Sequence, residues 1–359
     1  MSAEIDMSNN RINFAKRIDV PVWWERGNME MNIIEPGDDI IVIAEKAGID
    51  FPVSTTQTFY TVDRNGEVVA TPSKGHSIIR LDTGAELGYG VTKGYRVHQP
   101  IEIAKTMERI CQMAGMEILT AGSLRGGGTI WIQAAHSDME FKIGGETVKA
   151  YLVLSGDNTG SAATRGHMTN VVVVCANTFR CMEHESRGDT VTLSHRGEFD
   201  EDTLMEKLGF LGETQDHTIE VLNTLREQPL AGDDLIQFIL GTARQDRGVA
   251  APLASTETHA LGILNGNVTD FREVGHIKDE KAAKEAKSVG KVVHSLLHAY
   301  RNSPGQKERG ATKWAGFNMV TYYADHMKSS KGGAEGRLIA TQEGSAAKLK
   351  ARALEVLAA

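Results

Sequence analysis

Alternation between apolar and polar residues is the main pattern in the first half of the chain. Residues 118–121 and 129–135 are rich in residues that favour strands, and the glycine-rich residues 122–128 separate them. Apolar and charged residues alternate over 139–143, which is typical of a strand with one solvated face. Residues 171–175 form a continuous apolar run, which is typical of a strand buried on both faces. This pattern predicts a sheet of mostly antiparallel strands.

A helical period precedes these strands. Apolar residues recur near every third or fourth position over 101–114, Pro100 suits the first turn, and Gly115 suits the end. The residues before this helix, 87–98, predict a further strand. Earlier still, residues 63–66 (DRNG) separate two runs that favour strands, and an Asn-Gly pair in that setting predicts a hairpin.

In most of the second half of the chain, apolar residues recur at the spacing of an α-helix. The predicted fold is therefore α+β, with a mostly antiparallel sheet and a packed helix followed by a helical C-terminal region. We divide the chain into an N-terminal arm (1–54), an α+β core (55–200), an acidic helical segment (201–270) and a basic helical region (271–359).

Composition narrows the class of protein. Of 359 residues, 41% are hydrophobic, which is ordinary for a folded chain, and no run approaches the ~20 apolar residues of a membrane span. Residues 1–17 carry acids and no apolar stretch, so we expect no secretory signal and no membrane partner. Three cysteines are an odd number, which argues against a disulfide framework and favours the reducing cytoplasm.

Charge is distributed unevenly along a chain whose net charge is −8. Residues 201–260 hold 4 Lys and Arg against 11 Asp and Glu, whereas residues 272–359 hold 16 against 9. A basic end of this kind can mark a surface that binds a polyanion. The alternative is that its lysine-rich helices are simply solvated.

The sequence contains no recognisable catalytic motif. A phosphate-binding G-x-x-x-x-G-K-[ST] loop and an H-E-x-x-H zinc helix are both absent, so we predict no enzymatic activity and no cofactor. A nuclease or transferase would need Asp138, Glu140 and Asp157 to converge on a metal. Because isolated acids on strand faces are usually solvated, we predict no metal site.

Several segments closely resemble one family. They are residues 120–127 (TAGSLRGG), Trp131, residues 161–165 (SAATR), residues 173–178 (VVCANT) and residues 318–326 (NMVTYYADH). Together they resemble the phage/plasmid-like family of unknown function, also called the domain-of-unknown-function 932 family, from about residue 45 to the end. The resemblance implies a mobile-element protein in the cytoplasm of a bacterial host cell, and it supplies no activity.

A second similarity concerns the order of elements. A strand over 87–98, a helix over 101–114, several antiparallel strands and a further helix are similar in order to the Rad52-like core of phage single-strand annealing proteins. This implies a protein that binds single-stranded DNA and promotes strand annealing in recombination or replication. Each subunit would make only weak contacts with DNA, and stable binding would require many of them together. We therefore expect a homo-oligomer in the form of a ring or filament.

Candidate DNA-binding residues are those that could contact phosphates or stack on bases. They are Lys93, Tyr95, Arg96, Arg125, Arg165 and Arg180. The first three are placed on the predicted strand over 87–98, Arg125 in a glycine-rich tip where backbone N–H groups could also approach phosphate, Arg165 in a polar turn, and Arg180 near a following helix. Four of them have a structural alternative. Arg96 would be a solvated strand residue, Arg125 a turn residue paired to a carboxylate, Arg165 an ion-pair partner of Asp157, and Tyr95 an anchor in the core or at an interface.

The alternative function is a non-enzymatic protein-interaction factor, such as an inhibitor of a host protein or an assembly factor, with no DNA binding. The acidic residues 201–260 and the net charge of −8 fit this class as well.

Overall fold

The computed structural model describes residues 13–17, 32–65, 67–136, 140–172, 177–179, 190–209, 211–329 and 344–359. Its strands are β1 (Phe14–Lys16), β2 (Asn32–Ile33), β3 (Val53–Arg64), β4 (Glu67–Arg80), β5 (Glu86–Val91), β6 (Glu117–Leu124), β7 (Thr129–Ala135), β8 (Glu140–Ile143), β9 (Glu146–Asp157), β10 (Thr164–Val172), β11 (Asn177–Phe179) and β12 (Thr190–Leu193). Its helices are α1 (Ile40–Ala47), α2 (Pro100–Ala114), α3 (Glu201–Gly209), α4 (Leu211–Glu227), α5 (Gly232–Arg247), α6 (Ala254–Leu264), α7 (Glu280–Asn302), α8 (Gln306–Arg309), α9 (Lys313–Tyr322), which continues as a π-helical turn over Tyr323–Met327, and α10 (Ser345–Ala358).

The main sheet has the strand order β11-β10-β9-β7-β6-β1-β2, with β8 paired to β9 and β12 paired to β10. Its pairs are antiparallel except for β1 with β2. The prediction of a mixed α+β fold, rich in antiparallel pairs and followed by a mostly helical C-terminal region, is confirmed at this level.

Helix α2 covers one face of the main sheet and confirms the helix predicted over 101–114. It begins with a capping box between Gln99 and Glu102 and ends at Gly115, whose φ of 65° only glycine adopts without cost. Its buried face lies in a core with Ile130, Ile132, Leu152 and Leu154 of the sheet.

Gly156 allows α2 to approach the sheet closely. A Cβ at this position would lie 2.5 Å from Cδ1 of Ile103 and 3.1 Å from Cγ1 of Ile130. The residue on each side of Gly156 in β9 therefore points away from α2, because successive side chains of a strand alternate between its faces.

A second sheet contains β3, β4 and β5 in that order. Strands β3 and β4 form the hairpin predicted at residues 63–66, and Asn65 adopts a φ of 58° in its turn. The strand predicted over 87–98 is wrong after Val91, where β5 ends. The backbone beyond it leaves the sheet because the N–H of Arg96 donates to the carbonyl of His195 at 2.8 Å.

Helices α4 to α10 surround a second hydrophobic core that includes Trp314, Phe317 and Leu296. Ile143 of β8 and Val148 of β9 also belong to this core, so the main sheet contributes to it. The divisions at residues 54, 200 and 270 stay predictions. Among the described helices, none combines the length and the apolar character that crossing a bilayer requires.

Candidate nucleic-acid interface

Four connecting segments meet at one end of the main sheet. They are residues 92–99, 125–128, 157–164 and 194–199, which we call the rim. Asn158 joins two of them, because its backbone N–H donates to the carbonyl of Gly128 at 2.8 Å and its Nδ2 donates to the carbonyl of Gly127 at 2.9 Å. The hydroxyl of Tyr95 donates to the carbonyl of Asp157 at 3.4 Å, which links a third segment. The fourth is joined through the bond between Arg96 and His195.

Arg125 is an exposed residue at the tip of the β6–β7 hairpin, as predicted. Its φ is 56°, a left-handed conformation that costs a residue with a side chain roughly 1–2 kcal/mol. Buried Arg80 stabilises the turn, because its Nη1 donates to the carbonyl of Gly126 at 3.0 Å. The guanidinium of Arg80 also lies 3.9 Å from the ring centre of Phe51. The turn is therefore fixed by the core, and it presents Arg125 to solvent.

Tyr95 belongs to a stack of aromatic rings. Its ring lies 4.6 Å from that of His195, which lies 4.3 Å from that of His98, and Phe199 meets His98 edge-on at 5.3 Å. Because Tyr95 is half-buried in this stack and its hydroxyl is hydrogen-bonded, the structure favours an anchoring role over base stacking.

The same burial controls protonation in the stack. Desolvation lowers the pKa of His98 to about 4, and the neighbouring His195 ring adds to this effect. Desolvation also lowers the pKa of His195. Burial, followed by the charge of Asp157, raises the pKa of Tyr95. The stack is therefore uncharged near neutral pH, and the cations of the rim are the arginines and the lysine around it.

Lys93 and Arg96 are exposed, but they lie in the irregular segment after β5 and not on a strand. Nε of Arg96 lies 3.2 Å from Oε1 of Glu198, and both groups are well exposed to solvent. Such a surface pair contributes about 0–1 kcal/mol and leaves the guanidinium accessible to another anion.

Arg165 lies within β10 and not in a turn, which corrects the prediction. It pairs with Ser155, which in turn pairs with Trp131, so these residues share one face of the sheet. Since neighbouring Gly156 faces α2, Arg165 points to the opposite face. The Arg165 side chain therefore lies on the face of the sheet opposite α2, although the preceding Thr164 is hydrogen-bonded to His98 at 2.8 Å.

Two further positions need separate mention, of which Arg180 was predicted. Arg180 and the helix expected near it lie outside the described residues, and the last described residues before them form strand β11, which pairs with β10. Tyr89 was not predicted, yet it is 82% exposed on β5. The adjoining Gly88 packs so closely on the rim that a Cβ would collide with the carbonyl of Thr159. Because successive side chains of a strand alternate between its faces, the Tyr89 ring points away from the rim and into solvent.

Two of the three carboxylates that a metal site would need, Asp157 and Glu140, bind other groups of the chain. Asp157 accepts from the N–H and hydroxyl of Thr159 at 2.9 and 2.8 Å and from the N–H of Ser161 at 3.1 Å. Glu140 forms an ion pair of 2.5 Å with Lys149, and Asp138 lies outside the described residues. In the part of the chain that the structure describes, no group of His, Cys, Asp or Glu side chains is arranged to hold a metal ion.

Helix α7 carries a line of exposed cationic and titratable side chains. We call it the α7 stripe, and it consists of Lys284, Lys287, Lys291, His294, His298 and Arg301. Their spacing places them within about 100° of one another around the helix and over roughly 25 Å along it. The opposite face of α7 is buried through Val289, Val292 and Leu296, so the stripe is held on a rigid support.

The stripe is only partly neutralised by acids. Lys284 pairs with Glu280 at 2.7 Å, one turn away on the exposed surface. Glu285 instead accepts from the backbone N–H of Leu253 at 3.1 Å. Neither Lys287 nor Lys291 forms an ion pair with a residue that the structure describes. The basic composition of this region was visible in the sequence, and the spacing of three and four residues would have identified the stripe.

Comparison with known proteins places most of the chain in one family. The sequence model of the family described as domain of unknown function (DUF932) matches residues 89–353, from β5 into α10. No curated protein matches the chain, and no solved structure does. The match covers more than half of the chain and includes the rim and the α7 stripe, so the chain belongs to the DUF932 family.

Proposed function

We propose that the chain is a phage or plasmid mobile-element protein that binds single-stranded DNA and promotes strand annealing in recombination or replication. The observation that carries the proposal is the α7 stripe. Its cations follow a line of about 25 Å on a rigid helix, and such a line can track the phosphates of an extended strand.

Strand β5 supplies a feature suited to a single strand. A protein that holds unpaired bases needs an aromatic ring that is accessible to them, and Tyr89 is an exposed ring on the strand that leads to the exposed Lys93. A duplex would hide its base faces from such a ring. The combination of cations and an exposed aromatic ring therefore supports a single strand as the ligand.

Annealing by this protein requires no cofactor, because base pairing supplies the free energy. The protein contributes by neutralising the repulsion between two phosphate backbones and by aligning the strands. A homo-oligomeric ring or filament in the cytoplasm of the bacterial host would multiply the weak contacts of each subunit. The similarity in element order to the Rad52-like core stays a prediction, and β5, the first strand of that order, pairs in the smaller sheet and not beside β6.

Charge substitutions on the stripe test the proposal. Lys287→Gln combined with Lys291→Gln removes two phosphate contacts, so the slope of log K against log salt for a single strand should become shallower by about 1.4. Fluorescence anisotropy with a labelled oligonucleotide measures this slope. The matched control is Lys105→Gln with Lys142→Gln, which changes the net charge equally at exposed positions of α2 and β8. Equal slopes for the two double variants would refute a role for the stripe.

The contribution of the exposed aromatic ring is tested separately with Tyr89→Ala. The loss of one stacked base should weaken binding by about 1–3 kcal/mol without changing the salt slope. The alternative is a protein-interaction function without DNA binding, and the acidic residues 201–260 are the observation that favours it.

A further inference from the structure

Arg125 has a backbone conformation that is unusual for an arginine. Among the described residues other than glycine, only Arg125 and Asn65 have a positive φ, and asparagine tolerates that conformation better than residues with longer side chains do. The next two residues, Gly126 and Gly127, have φ values of 66° and 101°. An arginine therefore begins a run of three left-handed residues, at a position where glycine would carry no steric penalty. Strain of this kind persists where the surrounding structure imposes it, and it is typical of functional sites.

The strained conformation is imposed from the smaller sheet by Arg80, the last residue of β4, which is 1% exposed. Its guanidinium donates from Nη1 to the carbonyl of Gly126 at 3.0 Å. It also donates from Nε and Nη2 to the two carboxylate oxygens of Asp82, at 2.8 and 3.0 Å. Asp82 therefore compensates the buried charge and fixes the plane of the guanidinium, which directs the remaining donor at the tip.

Two further contacts fill the space beneath the tip. A Cβ at Gly127 would lie 2.7 Å from Cζ of Phe51 and 3.1 Å from Nη1 of Arg80. Buried Asn158 donates from Nδ2 to the carbonyl of Gly127 at 2.9 Å. Buried side chains thus hold the carbonyls of two successive residues, so the tip cannot change its backbone conformation without losing both hydrogen bonds.

We propose that Arg80 is a positioning residue, which holds Arg125 in its left-handed conformation so that the exposed Arg125 side chain binds a phosphate group of the DNA strand. The inference rests on the proposed function and adds to it a buried residue that acts through the rim. Backbone dihedral angles set the direction of the Cα–Cβ bond, so a relaxed, right-handed Arg125 would direct its side chain elsewhere. The guanidinium suits this ligand, because it can donate to two oxygens of one phosphate.

The proposal predicts that one substitution raises stability and lowers affinity. Arg125→Gly removes both the strain and the phosphate contact. Its melting temperature should rise by about 1–2 °C, and its affinity for a labelled oligo(dT) strand should fall roughly 8-fold at about 50 mM salt. Arg125→Ala keeps the strain, so it should bind as weakly without the rise in melting temperature. Arg109→Ala, at an exposed position of α2, is the matched control and should bind as the wild type does.

A double-mutant cycle separates positioning from a general effect on the fold. Arg80→Lys keeps the charge but cannot bond Asp82 and Gly126 together. It should weaken binding by up to about 8-fold in the wild-type background and have no further effect in the Arg125→Ala background. Asn158→Ala removes the other buried donor and should behave in the same way, which provides a second variant if Arg80→Lys does not fold. An equal loss of affinity in both backgrounds would overturn the positioning role.

Failure of this inference is distinguishable from failure of the proposed function. Wild-type affinity in Arg125→Gly, together with a salt slope that still depends on Lys287 and Lys291, would overturn the inference and leave the proposed function intact. The absence of any binding by the wild-type chain would overturn both. A melting temperature for Arg125→Gly no higher than that of Arg125→Ala would contradict the strain at this position, whatever the outcome of the binding experiments.

Discussion

A buried ion pair connects β9 to the helical core, and its removal is expected to destabilise the fold strongly. The carboxylate of Glu146 accepts from Nη2 of Arg309 at 2.6 Å, from Nε of Arg309 at 2.8 Å and from Nε1 of Trp314 at 2.8 Å. The Arg309 side chain is 0% exposed and that of Glu146 is 10% exposed. Glu146→Ala would leave the guanidinium buried without its counter-charge.

The loss of stability expected for Glu146→Ala follows from these contacts. Breaking one partner of a buried pair costs about 3–5 kcal/mol, because the remaining charge stays desolvated. Arg309 would keep its bonds from Nη1 to the carbonyl of Pro304 at 3.0 Å and to Oε1 of Gln306 at 3.3 Å, which favours the lower half of that range. Trp314 also loses an acceptor, which adds about 1 kcal/mol. We therefore expect a loss of roughly 4 kcal/mol in the free energy of unfolding.

Urea unfolding followed by circular dichroism and tryptophan fluorescence measures this loss. Glu146→Gln retains one acceptor oxygen and should lie between wild type and Glu146→Ala. The double variant Glu146→Leu with Arg309→Met replaces both charges with apolar groups of similar size, so it should be more stable than Glu146→Ala. A loss below about 1 kcal/mol for Glu146→Ala would refute the reasoning.

Two further predictions concern His98, which lies before α2, and Gly156 in the main sheet. Because the folded-state pKa of His98 is lowered to about 4 from an unfolded value of 6.5, stability should be fully present above pH 6.5 and fall as pH drops to about 4, by at most roughly 3 kcal/mol. His98→Gln should flatten this part of a stability profile against pH, and an unchanged slope would contradict the assignment. Gly156→Ala should cost about 1–3 kcal/mol through the collision with Ile103, whereas Gly197→Ala, with open space around it, should stay within about 0.5 kcal/mol.

The local signals of the sequence predicted the elements that local physics determines. Helix α2 has a proline start, a glycine end and a regular apolar period, and the β3–β4 hairpin has an Asn-Gly turn. The strand predicted over 87–98 is confirmed only as far as Val91, because His195, distant in sequence, hydrogen-bonds the backbone of Arg96. Such a long-range contact leaves no trace in the local pattern.

The residues of the candidate site were likewise predictable only where a local pattern fixes their position. Arg125 could be placed because a glycine-rich tip must lie at a hairpin end. The face of Arg165 depends on strand register, which no local pattern fixes. The α7 stripe was readable from its helical spacing.

The most direct test of the central claim is a salt series of fluorescence anisotropy with the wild-type protein and a labelled single strand, run beside an annealing assay with complementary strands. The account predicts tight binding at low salt, a steep loss of affinity as salt rises, and annealing faster than that of the strands alone. No binding at low salt, where attraction between charges is strongest, would contradict the account and leave a protein partner as the ligand.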